Sequence, residues 1–460
     1  MSLRKPTLQE PAMFPDPASR SAALFHRARK VQPGANTRHM ITFPPYIVYG
    51  EHGEGCRLTD VDGNVFIDWV NNFSTQIHGY GYAPVLDAAH AQIERMACCI
   101  LPTEPEVDLA ELLCERLPGV EQIRFTNSGT EAALVAVKAA RALTGRSRIA
   151  KAEGGYHGQY DLLEASFLPT PETWGQRNRP AATPANRGTP QSLLDEVIVY
   201  PFNDTERTLR LLEAEGPALA AVVVDPIPAR LGFTPADPSF LAALRDFCDR
   251  NGSLLIFDEV FCNRAGYRGA QGRLGVTPDM TLLGKIIGGG FPIGAVGGLA
   301  AAMRVFDNLH GPGFVSHSGT FTANPVSMAA GLAAMRGLTP QAFDRLERQG
   351  DRLREGLTAI FRRLRLPMRA NGLASMTSLQ LFVEPADNYR DFVTRSGPDY
   401  PARMLRIHRE MLRAGLLIAT RGMMIGSTAM SDADIDETLE RAERAFARVA
   451  EQAAGAEQLT

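Results

Sequence analysis

The chain has 460 residues, 45% of them hydrophobic and 22% charged, with 48 basic against 51 acidic side chains and a formal charge of -3. That balance excludes a general nucleic-acid or membrane-binding surface, and the length predicts more than one compact unit, since single cores stop growing near about 250–300 residues. No apolar run reaches spanning length, MSLRKPTLQEPAMFPDP lacks the apolar stretch of a secretory signal, and six cysteines without ligand-like spacing predict reduced thiols in a cytoplasmic protein with no metal site.

Residues 1–20 are rich in proline and polar groups and are expected to lie loosely on the surface. A short helical stretch, SAALFHRARKV, precedes the turn-like PGANTRH. In GCRLTDVDGNVFIDWV the flanking residues alternate around DVDG, which predicts two strands joined by a turn at Asp60 to Gly63.

From about 85 to 330 the text alternates helix and strand. VLDAAHAQIERM, VDLAELLCERL and EAALVAVKAARALTG carry helical periodicity or composition. IRFTNSG, RIAKAEGGYHG, LAAVVVDPI and GSLLIFDEV each run from an apolar strand into a polar loop. Buried strands separated by helices imply an α/β architecture, a mostly parallel sheet with helices on both faces. Working groups then gather at the carboxyl ends of the strands. The stretch 170–192, rich in Pro, Thr, Asn and Arg, reads as a surface excursion. Beyond about 330, long helices, the strand pattern GLASMTSLQLFVE, LLIATRGMMIGS and a terminal helix near 432–452 predict a smaller α+β unit.

Four stretches carry chemistry. In FTNSGTEAA a strand ends and a helix begins near Thr130, so free backbone donors with Ser128 and Thr130 hydroxyls suit a phosphate; the plainer reading is a capping turn. Asp258, at the end of LLIFDEV, needs a strong partner, either an arginine or loop amides, or a cationic ring nitrogen. Glu259 points to the other side of that strand. Lys285, in LLGKIIGGGFP, sits among Leu282, Leu283, Ile286 and Ile287, where desolvation lowers an amine's pKa and favours attack on a carbonyl. A nucleotide loop is excluded, because no GxxxxGK precedes it and the glycines follow the lysine. In GGYHG, Tyr156 or His157 can stack on a planar ligand, although a packed aromatic is the default.

The ordered set FTNSGTEA, GGYHG, FDEV, LGKIIGGGFPIGA and HSGTFTANP resembles the class III aminotransferases, fold type I enzymes that use pyridoxal 5'-phosphate. The resemblance runs from about Gly34 to the C-terminal helix. It is strongest to the glutamate-1-semialdehyde aminomutase branch and, within it, to the β-phenylalanine (β-amino acid) aminotransferases. It implies a seven-stranded central sheet and a smaller domain built from both chain ends: 1–84 as N-terminal and substrate-entry segment, 85–330 as cofactor domain, 331–460 as small domain. It implies Lys285 as Schiff-base lysine and proton carrier, and Asp258 on the pyridinium nitrogen. Ser128, Gly129 and Thr130 are implied on the phosphate, with Thr320 of the partner subunit in a homodimer, and Tyr156 and His157 at the ring.

The implied reaction moves an amino group from a β-amino acid or related amine to pyruvate or 2-oxoglutarate. Arg38, in PGANTRH, and Arg421, in ATRGMMIGS, match the family's arginines for the two substrate carboxylates, a task the guanidinium fork suits. Two departures stand out. VVVDPIPARLG places Asp225 where a glutamate is usual, with Ala229 and Arg230 where a polar residue would help the cofactor O3' or the substrate. NNFSTQIHGYGYAP replaces acidic and aromatic text, so Phe73, His78 and Tyr80 are expected to shape a different pocket. A broad amine–pyruvate enzyme and an intramolecular aminomutase remain as alternatives.

Overall fold

The computed structural model describes residues 14–309 and 315–457. The expected N-terminal hairpin forms: β1 (Gly50–Glu54), β2 (Arg57–Asp60) and β3 (Val65–Asp68) are antiparallel in succession. Its turn is locked by Asp60, whose carboxylate accepts from the N–H groups of Asp62 and Asn64 and from the Asn64 amide, while Gly63 takes φ 84°.

The large sheet holds seven strands: β4 (Gln122–Thr126), β5 (Arg148–Ala152), β6 (Val197–Tyr200), β7 (Leu219–Val224), β8 (Leu254–Asp258), β9 (Met280–Gly284) and β10 (Gly294–Gly298). Their spatial order is β4-β10-β9-β8-β7-β5-β6, and only β10 runs against the others. The apolar run LAAVVV of β7 is buried along its whole length, as a strand covered by helices on both faces must be. Glycine is required in β10: a Cβ on Gly294 would lie 2.1 Å from Ser128 O. The loop entering helix α1 (Gly129–Thr144) therefore presses directly on the sheet.

The smaller α+β domain draws on both ends of the chain. Strand β11 (Arg369–Leu373) pairs with β12 (Met376–Gln380), β13 (Leu416–Leu417) joins β3 in parallel, and β14 (Met423–Ile425) pairs with β12. Helices Pro340–Arg363, Tyr400–Arg413 and Asp432–Glu457 enclose a core that includes Trp69, Leu357, Phe361, Met411 and Phe446. The Trp69 indole donates to Thr438 Oγ1 at 3.0 Å, which ties an N-terminal strand to the last helix.

One expectation is corrected and another is extended. The described part of the first twenty residues is not loose: Phe14 is buried against Phe43 and Tyr46, and Arg413 Nε donates to its carbonyl. Residues 1–13 lie outside the described residues. The 170–192 excursion is largely exposed, yet it carries a two-strand hairpin at Gly175–Gln176 and Arg179–Pro180. Arg390 donates to the carbonyls of Trp174 and Gly175 while pairing with Glu153, so the excursion is tied to the loop that follows β5. No helix among the described residues is long and apolar enough to cross a membrane.

Candidate active site

Asp258 and Lys285 leave neighbouring parallel strands, with Asp258 in register with Leu282. β8 delivers Asp258, which is 6% exposed, and β9 ends at Gly284, immediately before Lys285. Lys285 takes φ 49°, a left-handed conformation that costs a side-chain-bearing residue about 1–3 kcal/mol and persists only where its surroundings hold it. Its Nζ lies 4.9 Å from the centre of the Phe261 ring. Burial in this recess pushes the amine below its ordinary pKa, against the attraction of Asp258 and Asp225. The outcome is a partly exposed lysine in a dry, aromatic-floored recess, poised as a nucleophile.

Asp258 Oδ2 lies 2.8 Å from His157 Nδ1, and Oδ1 accepts from Val260 N–H at 3.0 Å. Burial holds the His157 imidazole below its ordinary pKa, although Asp258 works in the opposite direction. A neutral ring that donates Nδ1–H to the carboxylate leaves Nε2 as acceptor, and that buried atom has no partner. Glu259 faces away as expected: its carboxylate accepts from Ala270 N–H, Gln271 N–H and the Gln271 amide. Asp225, at the end of β7, accepts from Ile227 N–H and is pushed up to about 8 by burial and by the Asp258 charge.

The expected phosphate cradle sits at the start of α1, but its cap is Ser128 rather than Thr130. Ser128 Oγ accepts from Glu131 N–H, and Glu131 reaches back to Asn127 N–H, a variant of the capping box. Thr130 is used elsewhere: its hydroxyl accepts from Gln159 N–H, and a Cβ on Gly158 would lie 2.6 Å from it. That contact joins the FTNSGT and GGYHG loops. The Cβ built at Gly284 falls 3.8 Å from Gly129 N, so the lysine strand and the helix start are adjacent. Tyr156 is 43% exposed and leans on Phe167 with ring centres 4.9 Å apart.

The two arginines are linked through their loops, since Thr420 Oγ1 donates to Met40 O. Arg38 is exposed and donates to Asn72 Oδ1 at 2.7 Å. Arg421 is half-buried, its guanidinium pushed down by burial, with no hydrogen-bond or ion-pair partner among the described residues. Thr320 and Phe321 are exposed on this chain. Phe73 stands in four successive left-handed residues, Asn71 to Ser74, and is partly exposed.

His78 and Tyr80 are not brought to Lys285. His78 is held between Thr428 Oγ1 and Ala334 O, and Tyr80 donates to Asp68 Oδ2. Both line a separate cleft of about 510 Å³ with Glu54, Tyr82, Arg345 and Thr428, and neither Lys285 nor Asp258 belongs to it.

Sequence reasoning passed over three groups. Phe261 floors the lysine recess. Lys151, fully buried and pushed down to about 7 by desolvation, donates to Gly155 O and Ala165 O and so holds the GGYHG loop from beneath. Arg264, also fully buried, joins Ser74, Ser375 and Gly426, three distant segments. Lys151 alone had a legible signal, an inward-facing charge in the buried strand RIAKA.

The residues present fit a phosphorylated pyridine aldehyde. The cradle offers free Gly129 and Thr130 N–H groups, Asp258 is a buried carboxylate at a strand end, and Lys285 is a depressed amine beside them. The class III aminotransferase profile ("Aminotransferase class-III") matches residues 42–446. The chain is 35% identical over 437 residues to glutamate-1-semialdehyde 2,1-aminomutase 2 of Halalkalibacterium halodurans, covering 94% of this chain and 98% of that protein. Among solved structures it is similar to an ω-transaminase from Sphaerobacter thermophilus, at 45% identity and TM-score 0.92, covering 95% of this chain and 99% of the other. It is also similar to a β-phenylalanine aminotransferase from Variovorax paradoxus, at 33% identity and TM-score 0.81, covering 93% of each chain. The chain belongs to the class III aminotransferases, fold type I enzymes dependent on pyridoxal 5'-phosphate.

Proposed function

We propose that the chain catalyses intermolecular amino transfer of the ω-transaminase kind, from an amine or β-amino acid to an α-keto acid such as pyruvate or 2-oxoglutarate. The observation that carries the two-substrate reading is Arg421, a half-buried guanidinium without a partner among the described residues, beside the loop of Arg38. A desolvated fork of donors is left for a carboxylate to fill. Likeness to a 45% identical ω-transaminase supports breadth toward amines over a strictly β-aryl donor.

In this reading the N–H groups of Gly129 and Thr130 and the Ser128 hydroxyl hold the cofactor phosphate, and Tyr156 lies along its ring. Asp258 fixes the charge of the ring nitrogen and is itself oriented by His157. Asp225, pushed up first by burial and then by the Asp258 charge, is held toward its neutral form and limits a second negative charge beside Asp258. Once bound, the cofactor would supply the electron sink for breaking the C–H bond at the amine-bearing carbon. Lys285 would hold the cofactor through its Nζ and, when free, would carry the proton from that carbon on the same atom. Arg38 takes the donor carboxylate and Arg421 that of the acceptor. The exposure of Thr320 and Phe321 supports a homodimer in which Thr320 of the partner subunit completes the phosphate site.

A second reading, intramolecular 2,1-amino transfer, is favoured by the likeness to glutamate-1-semialdehyde 2,1-aminomutases. Acceptor dependence separates the two. Bleaching of the cofactor's visible band by an amine, with multiple turnovers only when a keto acid is added, is expected. Full turnover of glutamate-1-semialdehyde without any keto acid would overturn the two-substrate reading.

A further inference from the structure

Arg230 lies in the tight turn Ala229–Leu231, five residues beyond Asp225. Its Nε and Nη1 are buried and have no hydrogen-bond partner. The guanidinium carbon stands 4.7 Å over the Phe167 ring, whose other neighbour is Tyr156. Arg230 is thus stacked on Phe167, beside Tyr156, with Nε and Nη1 unused among the described residues. These two nitrogens have lost water without gaining an acceptor, a costly arrangement unless a ligand completes it.

The surroundings repeat the pattern. Gln380, at the end of β12, is fully buried, and both atoms of its amide lack partners. A Cβ on Gly232, two residues after Arg230, would lie 2.5 Å from Gln380 Nε2. On the same strand Leu379 N–H donates to Gly422 O, which sets Arg421 beside the Gln380 end of β12. Ala229, Met423 and Phe261 pack in one apolar cluster, and Phe261 floors Lys285. Two polar side chains with buried, unpartnered atoms, Arg230 and Gln380, and the half-buried Arg421 therefore neighbour, along strand or chain, an apolar cluster whose Phe261 floors Lys285.

The geometry points to Arg230 as a specificity-determining residue that receives a substrate carboxylate, stacked flat on Phe167. The inference rests on the aminotransfer reading above. The carboxylate can belong to the amino donor, received jointly with Arg38, or it can be the second carboxylate of a dicarboxylic keto acid whose first is held by Arg421. Both sources present the same planar anion to the same fork.

The test uses holoenzyme carrying Arg230→Leu or Arg230→Lys, after confirming an unchanged visible cofactor band, with subunit association measured alongside. Bleaching half-reactions are run with a β-amino acid and with the amine that lacks its carboxylate. Recovery half-reactions are run with 2-oxoglutarate and with pyruvate. Independently, an amine-free aryl-alkyl monocarboxylate and a saturated C5 dicarboxylate are titrated into each protein by calorimetry. Arg230→Leu is expected to lose about tenfold to a hundredfold more kcat/KM on the carboxylate-bearing member of one pair than on its counterpart. It should weaken the matching amine-free acid to the same degree, with Arg230→Lys intermediate. Loss confined to the donor pair assigns the donor carboxylate, and loss confined to the acceptor pair assigns the keto acid.

Equal loss on both members of both pairs, a shifted pH titration of the cofactor band without a change in discrimination, or weakened subunit association with discrimination intact would each overturn the proposal. Should wild-type protein fail to bleach with any amine, the aminotransfer reading itself falls. Should wild-type bleach and Arg230→Leu discriminate as wild-type does, only the role of Arg230 falls.

Discussion

His157 Nδ1 stands 2.8 Å from Asp258 Oδ2, and both groups are buried, Asp258 at the end of β8 and His157 in the loop that follows β5. The hydrogen bond fixes the direction in which the carboxylate presents its oxygens, Oδ2 toward His157 and Oδ1 toward Val260 N–H. Asp258→Asn replaces an acceptor that tolerates a protonated ring nitrogen with an amide that does not. The amine half-reaction of that variant is expected to slow on the order of 10²–10³-fold, the scale of losing one preorganised electrostatic group. Stopped-flow bleaching measures it, and a rate within a few fold of wild type would remove Asp258 from the catalytic set.

Lys285→Ala deletes the amine while sparing the packing of Ile286 and Ile287, both buried behind it. Turnover is expected to fall by 10²–10⁴-fold or more, on the order of a lost general acid–base group. The thermal midpoint of the cofactor-free protein should hold or rise, because a desolvated amine is unfavourable in the fold, while the left-handed backbone is equally strained with alanine. Near-normal transfer rates in this variant would sink the assignment of the nucleophile.

Much of this architecture is legible in the sequence because continuous apolar runs such as LAAVVV can only be covered strands, and because Asp258 and Lys285 each interrupt such a run at its carboxyl end. The cap of α1 was harder to place. Ser128 and Thr130 are both capping residues, and the choice is made by Gln159 N–H, which claims the Thr130 hydroxyl from another loop. Phe261, Arg264 and Gln380 were silent for a related reason. Each looks ordinary in its local text, and its meaning arises from segments far along the chain, as when Arg264 reaches both Ser74 and Gly426. His78 and Tyr80 show the converse. Their aromatic character drew attention, while their polar atoms are spent on Ala334, Thr428 and Asp68.

Arg38 is exposed and oriented by a single bond to Asn72, so its removal leaves no buried group stranded. Arg38→Ala is expected to cut kcat/KM for carboxylate-bearing donors by about tenfold to a hundredfold, the range for a charge-assisted pair, and to leave neutral amines largely unaffected. Donor profiles of the two proteins, read by half-reaction bleaching, check this. Equal loss on acidic and neutral amines would mark Arg38 as structural.

His408 provides a pH test that is separate from catalysis. Its ring is 2% exposed, packs edge-on against Phe43 with centres 4.7 Å apart, and is pushed down to about 4 from an ordinary 6.5, chiefly by burial. The unfolded chain therefore binds a proton at this position at higher pH than the folded chain does. Above pH about 6.5 neither state carries that proton and the contribution is constant; as pH falls from about 6.5 toward 4 the unfolded state gains it first and stability is lost. At about 1.4 kcal/mol per pKa unit the loss amounts to a few kcal/mol by pH 4. His408→Leu keeps an apolar group against Phe43 and removes the titration. Denaturant unfolding of wild type and variant at pH 7.5 and pH 5 is expected to show a smaller drop in the variant, and an identical drop in both would place the acid sensitivity elsewhere.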